Sequence, residues 1–566
     1  VKVELAVYQN GDDALLVWNV EEKLENCRGF AIERELTRQG KTAKGWLPNY
    51  VGFAGEDHKP GESRPSTEWP FQGFKWTDHE VGTGDSARYR VVPVVRGKNE
   101  KLETLTAMAS AWSPAPPDPN KAPTPYFAYF NRGYVFSQFM AHYLKRKGLV
   151  DAKGKPDLAT FKRTISSEED HEIRWFLSGQ LRERMLELLK EANEDGGEVY
   201  AALFEYNDEE LLGAVCALGK RAHLVLSNGS ITKKDGETSA EARKRDENEE
   251  ARKALVKAKV DVQTHDRFIS PGALGHNKFL VTTTKSGSPT AVWTGSTNWS
   301  STGLCTQLNN GLLVKDPAIA KLYLDQWGRL SDAESSFPPE LVDTNSQPKA
   351  IKDATVWFSR TRLRVDLDAL RAEVNRAKQA ILFLMFQPGA AGVLADVRRR
   401  ENEPGLFVRG VVSTLPKEED EKLVNVSVIG DGKRTSKQVR IVEPQGKHGV
   451  AYWAEEVTRG QFSAVGIAIV HSKVLVIDPF SEDATVVTGS HNFSLNASEE
   501  NDENFMIIRR NRPLAEAYLV NIYGAWRHYR SRIAAGDDDW PGNQDDDTWM
   551  SKSLRARDAE AGFWGF

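Results

Sequence analysis

From residue 1 to about 113, apolar positions come in short alternating runs, at 2–8, 14–20, 29–35, 87–94 and 104–112, broken by Gly, Asp and Pro. A period of two sends successive side chains to opposite faces, so this stretch predicts an all-β region of half-buried strands. The proline-rich run PAPPDPNKAPTP at 114–125 marks a linker and a boundary. Beyond it the period changes. An amphipathic helix over 181–192, a strand over 198–205, a helix over 208–218 and a strand over 222–226 make a strand–helix–strand unit. Residues 230–259 are dense in both charge signs and read as a solvated helix, with a substrate-gripping lid as the alternative. A short strand is expected at 260–262. After residue 350 the plan returns: strand 354–359, helix 368–378, strand 380–386, helix 392–400, strand 406–413, a polar excursion through 417–447 and a closing helix over 514–532.

Each copy of the plan contains the same hairpin. The first reads HNKFLVTTTKSGSPTAVWTGSTNWS (276–300) and the second HSKVLVIDPFSEDATVVTGSHNFS (471–494). His276 pairs with His471, Lys278 with Lys473, Gly295 and Ser296 with Gly489 and Ser490, Asn298 with Asn492, and Ser300 with Ser494. The offset is 195 residues from 276 to 471 and 194 from 298 to 492. One His-x-Lys means little in a chain with 11 His, but two copies with matching sequels mark an internal duplication. In the second copy, strands at 474–477 and 484–488 joined by a polar turn would place His471 and Lys473 on one face and return Ser490 and Asn492 beside them. An imidazole, a cation, an amide and a hydroxyl then meet at one spot, as an anion under attack requires. Neither half has enough groups to run a two-step displacement alone. Together they supply a nucleophile, an acid and two cations.

These residues resemble the phospholipase D superfamily, whose signature is His-x-Lys-x4-Asp followed by Gly-Ser-x-Asn. The second copy matches in full with Asp478, whereas Thr283 stands at that place in the first. In the family this Asp tends to be structural, so the departure bears on local scaffolding. The resemblance implies an α/β fold of two pseudo-symmetric halves, 126–345 and 350–535, with the active site at their interface. An all-β immunoglobulin-like sandwich, 1–113, precedes them and an acidic tail, 536–566, follows. Trp18 and Tyr89 make the first region similar to a fibronectin type III domain, where both would be core residues. The implied chemistry is phosphodiester hydrolysis through a phosphohistidine, one His attacking and the other protonating the leaving oxygen and then activating water. Lys278, Lys473, Asn298 and Asn492 would hold the non-bridging oxygens, with Ser296, Ser490 and Asp478 in support. No metal or other cofactor is expected, since no His, Cys and Asp cluster has ligand spacing. Aligned on the strands that follow each motif, Glu503 matches Asn309. A carboxylate beside an imidazole favours its charged form. With each partner assigned to its own half's histidine, His471 is the expected acid and His276 the nucleophile.

Composition narrows the rest. The net charge is −5, which argues against nucleic-acid binding by overall charge alone. Cys27, Cys216 and Cys305 lie far apart and read as reduced thiols, and the cytoplasm is the expected location. Nucleic acid is favoured over phospholipid as substrate, on the compact Gly-Ser-x-Asn-aromatic-Ser form and the basic-aromatic run 526–530. Phospholipid is the alternative, on the single-chain duplication and the acidic balance, and an inactive binding scaffold is a second. His171 reads as helix-start surface packing, while His265 and His491 are candidates to line the cleft. Two acidic triplets, 537–539 and 545–547, read as solvated acid, and the aromatic end, 563–566, as docking back on the body.

Overall fold

The computed structural model describes residues 2–566 except 57–61, 83, 134–157, 168–170, 230–233, 263–265, 268–272, 390, 414–422, 430–436, 441–469, 536–541 and 559. The first region holds two antiparallel sheets. Strands Glu4–Gln9, Ala14–Asn19 and Lys75–Asp78 make one, and Lys41–Trp46, Cys27–Arg38, Ser86–Arg96 and Leu102–Thr104 the other. Leu16 and Trp18 from one sheet and Phe30, Ile32, Tyr89 and Val91 from the other share a core. Strand Ala14–Asn19 does not alternate as an exposed sheet would. Its other face, Leu15 and Val17, is buried in the main body's core, which explains the unbroken run ALLVW. The strand expected at 104–112 ends at Thr104, because Thr106–Met108 is a 3-10 turn.

The two later sheets repeat one another. In the first half, six of the seven described strands run Tyr126–Phe130, Asn310–Val314, Pro289–Gly295, Lys278–Thr283, Val199–Leu203, Ala222–Ser227 in spatial order, with Asp266–Arg267 at the edge beyond them. The second half has the same order: Ala354–Phe358, Asn504–Arg509, Thr485–Gly489, Val474–Ile477, Ala380–Met385, Phe407–Ser413. In each, the last two of the six are parallel and joined through a helix, Glu209–Leu218 or Val393–Arg400, and the remaining neighbours among the six are antiparallel. The charged stretch 230–259 supplies two helices, Ser239–Arg243 and Glu249–Lys257. At 260–262 the expected strand is a single bridge, Asp261 to His223. The polar excursion contains two further strands, Leu423–Ile429 and Lys437–Arg440, which extend the second sheet, and its remaining residues lie outside the described set.

Phe279, Val281, Val474 and Val476 point into one core shared by both halves, while Leu280 faces a core of the first half and Leu475 and Ile477 one of the second. With both faces covered, these strands read as continuous apolar runs. Polar links cross the interface in matching pairs. Thr294 Oγ1 donates to Asn504 Oδ1 (2.7 Å), and Asn310 Nδ2 donates to Thr488 Oγ1 (2.7 Å). The tyrosines of helices Pro317–Ala333 and Arg512–Ala535 flank the same asparagines, with Tyr323 bonded to Asn504 and Tyr518 to Asn310. Trp526 and Tyr529 are buried in the shared core, so the aromatics of the 526–530 run pack inside rather than offering a binding face.

The chain's end is built into the body. Trp549 and Met550, on helix Thr548–Asp558, join the N-terminal core, and Phe563 and Trp564 pack on Phe407. Asp545 pairs with Arg28 and Arg96, and Asp547 with Lys23, so the second triplet anchors the tail instead of standing free in solvent. Residues 537–539 lie outside the described set.

Candidate active site between the two halves

Antiparallel pairing starts the site. Val474 is opposite Thr488, and Leu280 opposite Trp293, so each hairpin brings its Gly-Ser-x-Asn end back beside its His-x-Lys end. Lys278 Nζ donates to the His276 carbonyl (2.7 Å) and Lys473 Nζ to the His471 carbonyl (2.5 Å). A phenylalanine closes each half-site: Phe204 lies 4.7 Å from the His276 ring, and Phe386 4.7 Å from the His471 ring, by centroids. Each also lies 4.7 Å from its half's lysine nitrogen.

The chain crosses between halves beside each histidine. His276 N–H donates to the Asp502 carbonyl (3.0 Å), and His471 N–H to the Leu308 carbonyl (2.9 Å). The next residue of each crossing strand then meets the opposite half's imidazole. Both Glu503 oxygens lie at 2.9 and 2.8 Å from His276 Nδ1, and Asn309 Oδ1 lies 2.9 Å from His471 Nδ1. The partner assignment drawn from the sequence is therefore reversed. Glu503 serves His276 and Asn309 serves His471, because each polar partner extends from its own sheet across the interface.

Hydrogen-bond chemistry fixes the tautomers. An ionised carboxylate only accepts, so His276 donates through Nδ1–H and Nε2 is left with its lone pair. Asn309 Nδ2 donates to the Gly303 carbonyl (2.8 Å), so Oδ1 faces the ring and His471 also donates from Nδ1. The motif serines hold these partners: Ser296 Oγ donates to Asn309 Oδ1 (2.8 Å), and Ser490 Oγ to Glu503 Oε2 (2.7 Å). Both hydroxyls thus hold the two histidine partners.

Burial and the two ammonium groups push both imidazoles well below the usual histidine range. The Ser296 carbonyl is the neighbour that favours the charged form of His471. Burial carries the Glu503 carboxyl up to about 7 and the Lys278 ammonium down to about 7, and lowers Lys473 as well. An anion between the lysines would restore their charge.

Asp478 accepts from the N–H groups of Lys378, Gln379 and Ala380, at 2.7 to 3.1 Å, and pins the start of strand Ala380–Met385. In the first half Thr283 does a lesser version of this work, accepting from Glu198 N–H through Oγ1 (3.2 Å) just before strand Val199–Leu203. Asn298 and Asn492 sit at the hairpin ends, each with a buried Oδ1 that has no hydrogen-bond partner among the described residues. His491 does not line the cleft. It is fully buried, accepting from Phe493 N–H at Nδ1 and bonding Ser498 through Nε2. His171 caps helix Glu172–Glu194, and His265 lies outside the described residues. Sequence reading missed Glu205, whose Oε2 accepts from Asn298 Nδ2 (2.8 Å). Superposing the two repeats would have found it, since Phe204-Glu205 matches Phe386-Gln387.

The family model described as "Cardiolipin synthase, PLD-like domain" matches residues 167–330 and 370–526, more than half of the chain and one segment on each repeat. The chain belongs to the phospholipase D-like family. It is thus an enzyme of the superfamily that acts on phosphodiester bonds. No curated protein matches the sequence. Among solved structures it is similar to the phospholipase D family member Nuc from Salmonella typhimurium, at 15% identity and TM-score 0.20, covering 28% of this chain and 90% of that one. Phosphatidylserine synthase from Haemophilus influenzae matches at 9% identity and TM-score 0.38, covering 68% and 93%. The yeast tyrosyl-DNA phosphodiesterase matches at 12% identity and TM-score 0.29, covering 57% and 85%.

Proposed function

We propose that this phospholipase D-like enzyme hydrolyses phosphodiester bonds of nucleic acid through a phosphohistidine on His276, without a metal. The observation that carries the mechanism is the crossed pair of histidine partners. Nε2 of His276 attacks phosphorus, and the positive charge that grows on its ring is met by Glu503 through Nδ1. His471, held by a neutral amide, takes up a proton at Nε2 as the anion binds, gives it to the leaving oxygen and then takes one from the attacking water. Lys278 and Lys473 balance the non-bridging oxygens, aided by the amides of Asn298 and Asn492. His276 keeps the role expected from the sequence, on a different ground: a nucleophile that becomes cationic needs the carboxylate more than the acid does.

A polyanionic substrate is favoured by the loop that leaves strand Ala354–Phe358. Ser359 Oγ accepts from Glu503 N–H (3.0 Å), and Arg360, Arg362 and Arg364 follow at once. Arg360 lies over the Phe337 ring (4.5 Å), and its Nε has no hydrogen-bond partner among the described residues. Arg362 pairs with Asp343 and Arg364 with Glu499, so Arg360 is the cation of this row that suits a phosphate flanking the scissile one. Leu363, 88% exposed among those arginines, favours the second reading, a phospholipid at a membrane surface. Among the described residues no helix is long and apolar enough to cross a membrane. We take the organisation to be a fibronectin type III-like region (1–113), two catalytic halves (126–345 and 350–535) and a terminal segment (536–566). The three free cysteines suit a cytoplasmic setting. The test is incubation in EDTA with labelled single- and double-stranded DNA and RNA, or with phosphatidylcholine vesicles, against His471→Ala. Salt-sensitive nucleic-acid cleavage is expected. Headgroup release without it would end the nucleic-acid reading.

A further inference from the structure

Besides Glu503 against Asn309 and Asp478 against Thr283, the two half-sites differ two positions past the inner strands. There the first half has Glu205 and the second has Gln387, each directly after the phenylalanine that covers its own histidine and lysine. Glu205 is partly exposed, and no cation lies within ion-pairing distance of it among the described residues. Its hydrogen-bond partner is the amide of Asn298, a neutral group. Its charge therefore acts on the anion site through space. Lys278 and Lys473 both feel it, Glu247 is a further carboxylate facing it, and burial raises it above the ordinary carboxylate range.

We propose that Glu205 is a specificity-determining residue that selects a singly charged phosphodiester over a doubly charged phosphate. The ground is charge balance in a largely buried site. Lys278 and Lys473 are the cations facing the anion, and the charges of Glu503 and Glu205 already offset them, with Glu247 adding to the negative field at Glu205. A phosphodiester brings one negative charge into this balance, and a phosphate monoester or inorganic phosphate dianion brings two, in a place where unpaired charge is costly. To admit the dianion, Glu205 must take up a proton, which costs more as pH rises, or bear the repulsion. Gln387, neutral in the equivalent position, imposes neither. The same arrangement frees a product monoester readily, because a second charge on the product opposes its staying bound.

The proposal rests on the phosphodiesterase reading of the site, and binding rather than turnover tests it. Sulfate, a dianion, and dimethyl phosphate, a monoanion of similar shape, are titrated calorimetrically into the full-length protein at pH 8. The proteins compared are wild type, Glu205→Gln, which can still accept from Asn298, and the exchange variant Glu205→Gln/Gln387→Glu. The ratio of sulfate to dimethyl phosphate affinity is expected to rise about tenfold or more in Glu205→Gln and to fall back in the exchange variant. At pH 6 the wild-type ratio should move toward that of Glu205→Gln. An unchanged ratio in Glu205→Gln at pH 8 overturns the assignment, as does an equal gain for both anions. Failure of His276 to become phosphorylated would overturn the mechanism without altering these ratios.

Discussion

Replacing Glu503 with Gln keeps an acceptor for His276 Nδ1–H but removes the charge that meets the developing imidazolium. Both carboxylate oxygens lie within 2.9 Å of that nitrogen. For charge centres about 4 Å apart, an effective dielectric of about 20 gives an attraction of roughly 4 kcal/mol. Lys278 already offsets part of the Glu503 charge, so about half is a fair expectation: about 2 kcal/mol, or ~30-fold in the rate of phosphoenzyme formation. Rapid-quench measurement with bis(p-nitrophenyl) phosphate reads that rate as the burst of p-nitrophenol. Burial carries the Glu503 carboxyl up to about 7, and the ionised form is the one that assists attack. The wild-type burst rate should therefore fall as pH drops through that value, and the Gln variant should lose this limb. A burst rate within about threefold of wild type, with only steady-state turnover reduced, would show that Glu503 serves the second step and would refute the assignment.

Other expectations follow from the same geometry. Asn309→Asp gives His471 a carboxylate and raises its pKa, so the alkaline limb of kcat/KM should move up by about one pH unit. Asp478→Ala strips the acceptor from three N–H groups and should lower stability in urea by about 2–3 kcal/mol, with kcat per folded molecule nearly unchanged. Trp549→Ala empties a core position and loses the indole bond to the Cys27 carbonyl (2.9 Å), which should cost about 3–5 kcal/mol, read from thermal unfolding by circular dichroism.

The duplication and the two His-x-Lys hairpins were legible because each signal is local. The strand period, the turn residues and the motif spacing lie within about 25 residues. The partners of the histidines were not. Glu503 and Asn309 could be aligned to one another from their strands, but which imidazole each meets depends on how the sheets face. That information lies in interface pairs such as Thr294 with Asn504, about 210 residues apart. The strand at 104–112 failed because alternation continued past a 3-10 turn that the pattern does not register. The 526–530 run misled for a related reason. Arginines beside aromatics suit a binding face, yet Trp526 and Tyr529 are buried in the core, and Arg527, His528 and Arg530 are half-buried beside them. Acidity at 545–547 looked like solvation because its partners, Lys23, Arg28 and Arg96, lie at the other end of the chain.

The most direct measurement is to quench His471→Ala during turnover of bis(p-nitrophenyl) phosphate, whose leaving group needs little acid assistance, and map phosphate by mass spectrometry at alkaline pH. An acid-labile p-nitrophenyl phosphoryl group on the peptide carrying His276, absent in His276→Ala, is the predicted result. Phosphate on the wild-type peptide carrying His471, with none at His276, would contradict it.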